Sequence, residues 1–127
     1  MVASLSKTGF VSSLVRLASA ALQDRYVRRA TVEEYYVPDE LLEDAIVAAK
    51  FVREKEAWVQ SLSPHQLDKV LSFAETALRF PNLDSLPESP SALLEHPAWI
   101  ALRDSAADCL AALGCDLSEL ERDPKFR

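Results

Sequence analysis

The chain has 127 residues, 49% of them apolar and 27% charged, which suits one domain with a continuous core and excludes disorder throughout. Its formal net charge of −6 weighs against a general affinity for polyanions. Only two glycines occur, most of the seven prolines stand where helices start or are punctuated, and long apolar/polar alternation is missing, which together indicate an all-α protein.

The first 23 residues contain no Asp or Glu, five serines, one lysine and one arginine. That composition overlaps with organellar transit peptides and raises the alternative of an organelle-targeted helical assembly factor. Ser12, Ser13 and Arg16 break the apolar run that a secretory signal would need, and the default compartment is the cytosol. The same residues make a good helix over 8–30, because Val11, Leu14, Val15, Ala18, Leu22 and Tyr26 recur at three- and four-residue spacing. Its start is either Ser6 or Thr8, since Gly9 inside the helix would cost up to about 1 kcal/mol.

The helical line 11, 15, 18, 22, 25, 29 ends in Arg25 and Arg29, so the helix leaves the core there. Arg25, Arg28 and Arg29 also complement the negative end of the helix dipole. Thr31 and Glu34 have capping-box spacing, and Pro38 disfavours the α conformation at Val37. The stretch 25–36 therefore reads as a joint, with Tyr35 and Tyr36 in the connecting turn.

A second helix over 39–62 opens at Pro38, with Asp39, Glu40, Glu43 and Asp44 near its positive end and Lys50, Arg53 and Lys55 later. Leu42, Ala45, Ile46, Ala49, Val52 and Val59 are its apolar set, with Phe51 and Trp58 on a second face. Ser63, Pro64 and Gln66 supply an N-cap, a first-turn proline and a capping-box partner for a helix over 64–80. Leu67, Val70, Leu71, Ala74, Ala77 and Leu78 line that helix. Residues 81–90 form the longest loop, and a short turn over 91–95 follows.

A helix over 97–113 begins at His96 and Pro97, turns Trp99, Leu102, Ala106, Leu110 and Leu113 inward, and ends on Gly114 in the left-handed conformation. Asp116 and Glu119 open a short terminal helix over 117–122. The expected architecture is a compact four- to five-helix bundle, mostly of antiparallel neighbours, with that short helix at its end.

No motif carries chemistry by itself. His65 and His96 each stand beside a proline at a helix start and belong to no zinc-binding pattern, so they read as solvated or capping residues. No Gly-rich phosphate loop, nucleophile elbow or di-iron carboxylate set occurs. Cys109 and Cys115 read as two unlinked thiols, with Cys109 in an apolar run. No enzyme activity, cofactor or metal is expected, and no apolar run reaches the roughly twenty residues of a membrane span.

The charge is unevenly spread. Lys7, Arg16, Arg25, Arg28 and Arg29 against Asp24 give residues 1–31 a net +4, which leaves −10 on the rest. One reading is structural, with the first helix neutralised by acidic neighbours. A second is a non-enzymatic protein whose acidic face, with Asp39, Glu40, Glu43 and Asp44, covers a basic site on another protein, as an inhibitor or immunity-type neutraliser of a basic toxin or enzyme would. In the alternative, Arg25, Arg28, Arg29, Tyr35 and Tyr36 bind nucleic acid or an anionic membrane surface. The acidic balance favours a protein partner over nucleic acid. A homodimer is a further expectation, because Phe51, Trp58, Phe73 and Phe80 look like more aromatic surface than one small core holds.

Overall fold

The computed structural model describes residues 6–29, 31, 37–54, 57–81 and 85–126. Ser6 caps the first helix, α1 (Lys7–Ala18), its Oγ accepting the Gly9 amide at 3.0 Å. Gly9 thus lies within the first turn. The helix expected to run unbroken over 8–30 stops at Ala18. Ser19 takes an extended conformation (φ −93°, ψ 108°), caps α2 (Ala20–Gln23) by accepting the Leu22 amide at 3.0 Å, and donates its hydroxyl to Glu121 Oε1 at 2.7 Å. No proline or glycine breaks the helix there. The break is fixed by Glu121, a partner 102 residues away.

Beyond Gln23 the chain widens into a π turn, Asp24–Arg28, closed by the Arg29 amide on Asp24 O at 3.0 Å. A π turn adds a residue per loop of the ladder and shifts the helical register. Consecutive residues Tyr26 and Val27 are both buried as a result, while Arg25 and Arg29 stay exposed.

Val37 is extended, as a residue before proline must be, and α3 (Pro38–Arg53) follows. The helix expected over 39–62 ends at Arg53 and restarts as α4 (Ala57–Gln60). The restart brings Trp58 to 5.2 Å from the Phe10 ring and buries Val59. Next, α5 (Pro64–Leu78) opens with a complete capping box: Ser63 Oγ accepts the Gln66 amide and Gln66 Oε1 accepts the Ser63 amide. The turn expected over 91–95 is a helix, α6 (Pro90–Glu95), capped by Ser89, so the loop expected over 81–90 ends one residue early; 82–84 lie outside the described residues.

His96 caps α7 (Pro97–Ala112) by accepting the Ala98 amide at Nδ1, 3.1 Å. Gly114, at φ 83°, ends it: the Gly114 amide bonds Ala111 O and the Cys115 amide bonds Leu110 O, both at 3.0 Å, the paired closure of a Schellman motif. Asp116 then caps α8 (Leu117–Leu120), and a 3₁₀ turn, Pro124–Phe126, follows.

The described residues hold helices and no strand, and the long helices form a ring: α1 touches α3 and α7, and α5 touches the same two. Gln66 at the start of α5 donates to Ala112 O at the end of α7, whereas Phe80 just after α5 meets Trp99 near the start of α7, edge to face at 6.2 Å. These two helices therefore run antiparallel. Phe10, Leu14, Leu17, Val52, Val70, Phe73, Trp99, Leu102 and Leu110 are fully or almost fully buried between the helices. Phe73 meets Phe10 edge to face at 5.9 Å, and Trp58 and Phe80 are partly buried against the same core. Those three of the four aromatic residues behind the homodimer expectation are thus accommodated within one chain.

Two polar side chains, Ser19 and Gln23, are buried in this apolar interior. Gln23, 1% exposed, donates through Nε2 to Arg16 O at 3.0 Å and Leu17 O at 2.6 Å, and its Oε1 accepts the Trp99 indole N–H at 3.1 Å. The two carbonyls belong to the last turn of α1, which the break at Ser19 deprives of helical donors. Replacing Gln23 with Met, of similar size, should strand two buried carbonyls and an indole N–H and lower stability by about 2–4 kcal/mol in a urea titration. A loss below about 1 kcal/mol would show that the amide is not holding the break.

Candidate functional site

The arginines expected to form a basic surface are largely engaged within the chain. Arg28 Nη1 lies 3.1 Å from Glu95 Oε1 on α6, and Arg29 Nη2 lies 2.9 Å from Asp24 Oδ2 across the π turn. Arg25 sits over the Tyr26 ring, its guanidinium carbon 5.1 Å from the centroid. These pairs are solvent-exposed, so each is worth only a fraction of a kcal/mol, roughly 0–1. The two ion pairs each place a carboxylate beside a cation that a polyanion would otherwise meet. Tyr35 and Tyr36 lie outside the described residues.

The acidic residues behave differently. Asp39, Glu40, Glu43 and Asp44 are all exposed on α3, whose inner face buries Leu41, Leu42, Ala45, Ala48, Ala49 and Val52. On a helix of 3.6 residues per turn, Asp39, Glu43, Ile46, Val47 and Lys50 share the outward side. Val47 is 45% exposed and is the large hydrophobic residue that stands out on the described surface. With Asp39, Leu42, Glu43, Ile46 and Lys50 it lines a depression of about 410 Å³. The carboxylates are legible in the sequence from their place near the positive end of the helix, whereas Val47 is missed. Its signal was available, a valine on the polar side of an amphipathic helix, but one apolar residue out of phase is ordinary at a protein surface.

Burial, the neighbouring Glu43 charge and, less strongly, Glu40 raise the Asp44 carboxyl above its usual 3.8, with Arg16 opposing them. Arg16 reaches this region from α1, where it also donates to Lys125 O at 3.0 Å and lies 5.7 Å from the Phe126 ring centroid. Ser12, Ser13, Leu41 and Lys125 complete a shallow hollow around Arg16, Asp44 and the C-terminal turn.

Among the described residues no group of three or more His, Cys, Asp or Glu side chains could hold a metal ion, and no helix is long and apolar enough to cross a membrane. His96 is engaged as a cap, His65 is exposed in the first turn of α5, and the two cysteines are unlinked.

Burial, with a smaller contribution from Cys115, pushes the Cys109 thiol up to about 12. Cys109 has no exposed surface, whereas Cys115 is half-buried. Iodoacetamide near pH 8 should therefore modify Cys115 in the folded protein and reach Cys109 only after denaturation, as mass spectrometry would read. Asp44 yields a second expectation. A carboxyl whose pKa is raised by folding binds its proton more tightly in the folded chain, so its ionised form lowers stability above that pKa and the loss is relieved as pH falls toward 3.8. Asp44→Asn should accordingly raise the Tm slightly at pH 7 and have no effect below pH 3. Comparison with protein-family models, with curated proteins and with solved structures finds no match for this chain.

Proposed function

We propose that the chain is a non-enzymatic binding protein whose contact surface is the outward face of α3, and that its partner is a protein with a basic surface, in the manner of an inhibitor or immunity-type neutraliser. The observation that carries this reading is Val47, an exposed apolar side chain flanked by Asp39, Glu43 and the other carboxylates of α3. An apolar centre with a charged rim is the arrangement from which protein interfaces draw affinity and orientation. The remaining net −10 beyond residue 31 would steer a basic partner toward this face and speed encounter at low salt.

The competing nucleic-acid or anionic-membrane reading draws less support, because Glu95 and Asp24 stand against two of its three arginines. A homodimer draws less support, because Trp58, Phe73 and Phe80, three of the four aromatic residues behind that expectation, pack against the core of the same chain. A reducing compartment such as the cytosol suits the two unlinked thiols.

Affinity capture from native lysate, followed by binding measurements on whatever protein is retained, tests the proposal. The expected result is a basic partner whose association rate falls steeply with salt and whose affinity drops at least tenfold when Glu43→Lys and Val47→Asp are combined. Circular dichroism should show the variant as helical as the parent. Undiminished binding by that variant, or loss of binding on Arg25→Glu with α3 intact, would move the contact surface elsewhere.

A further inference from the structure

The depression under Val47 has a neighbour. A second hollow, of about 300 Å³, lies between the first turn of α3 and the segment leading into α6, lined by Pro38, Leu86, Pro87, Glu88, Pro90 and Leu93. Asp39 lines both hollows. Each has an apolar floor, Leu42, Ile46 and Val47 in one and Leu86, Pro87, Pro90 and Leu93 in the other, and each has carboxylates at its edge, Glu43 in the first and Glu88 in the second. Asp39 stands at the junction.

We infer that the part of the partner this surface holds is a short extended segment with two apolar side chains separated by lysines or arginines, one apolar group in each hollow and the cations over Asp39, Glu43 and Glu88. The inference rests on the reading of α3 as a protein-binding face. Charge fixes the occupant. The three carboxylates cluster around the junction, and Lys50 closes the far end of the first hollow, which disfavours a cation there and confines the basic residues to the middle. A flat, folded basic surface would meet the exposed carboxylates but would offer no side chain to the recess between Pro38, Leu86, Pro87 and Leu93. Pro87 and Pro90, with fixed φ, also give the second recess a stiff wall that loses little freedom on binding.

The test uses the full chain and three acetylated, amidated peptides: Leu-Arg-Lys-Arg-Leu, the same peptide with both leucines replaced by serine, and the same with its three cations replaced by glutamine. A folded basic protein, cytochrome c, serves as a fourth probe. Binding is followed by fluorescence anisotropy and by amide chemical shifts. The expected result is that the first peptide binds at least tenfold tighter than either control and shifts amides in both hollows, among them Ile46, Val47, Glu88 and Leu93. Val47→Asp and Glu88→Lys, both at exposed positions, should each weaken it at least fivefold without changing the circular dichroism spectrum.

If the serine peptide binds as tightly as the leucine peptide, or shifts are confined to α3, the two-hollow segment is overturned while the acidic face stands. The same conclusion follows if cytochrome c binds α3 and the leucine peptide does not. If neither cytochrome c nor any peptide touches α3, the segment and the underlying reading fall together.

Discussion

The side-chain amide of Gln23 is placed where the fold has a polar problem in an apolar interior. A helix that ends inside a core leaves carbonyls that water cannot reach, and each unpartnered one costs on the order of 1–3 kcal/mol. The end of α1 is such a place. Gln23 covers two of those carbonyls with Nε2 and uses its remaining acceptor for the indole of Trp99. One amide thus joins α1 to α2 and α2 to α7. Because Trp99 also packs edge to face with Phe80, the same contact sets how the end of α5 meets the start of α7. Ser19 extends the tie to the C-terminal segment through Glu121. A chain with only two glycines turns its first helix here by pairing buried polar groups instead of relaxing the backbone.

That turn decides the electrostatics. The π loop that follows α2 sends Tyr26 and Val27 inward and leaves Arg25, Arg28 and Arg29 outside, close to Asp24 and Glu95. Glu95 thus answers one charge of the +4 carried by the first 31 residues, while Asp24, already counted in that net, pairs with Arg29. Arg16 completes the effect from the other side of α1, opposing the crowding of carboxylates around Asp44. Asp39, Glu40 and Glu43 on α3 make no ion pair with another described residue.

Local signals in the sequence account for most of the helix ends. Ser63, Pro64 and Gln66 form the capping box that their spacing implies, His96 caps α7, and Gly114 adopts the left-handed conformation that closes it. The inward stripe of α7, from Trp99 to Leu113, was likewise legible from periodicity, because one face of that helix meets the core along its whole length. The break at Ser19 was not legible. A serine among alanines has the same local propensity whether or not Glu121 waits across the fold. The end of α3 escaped for a related reason, since no breaker residue marks it and Trp58 is drawn toward Phe10 from outside its own helix. At the candidate site the carboxylates of α3 were evident from their place near the positive end of the helix, but the partner of Arg28 lies 67 residues away and no periodicity could reveal it.

Folding explains only part of the acidity of α3. Asp39 and Glu40 sit in the first turn, where a negative side chain stabilises the helix dipole by about 0.3–1 kcal/mol. Glu43 and Asp44 lie beyond that turn, where the benefit fades. At Asp44 the balance has reversed, because partial burial and the Glu43 charge favour its protonated form, so the ionised carboxylate works against the folded state. The inner face of the helix meanwhile packs on leucines, valine and alanines that ask nothing of the outer one. Exposed apolar surface at Val47 and mutually repelling carboxylates beside it both raise the free energy of the isolated molecule, and both would be relieved by the same event, the proposed contact with a cationic partner that carries an apolar side chain.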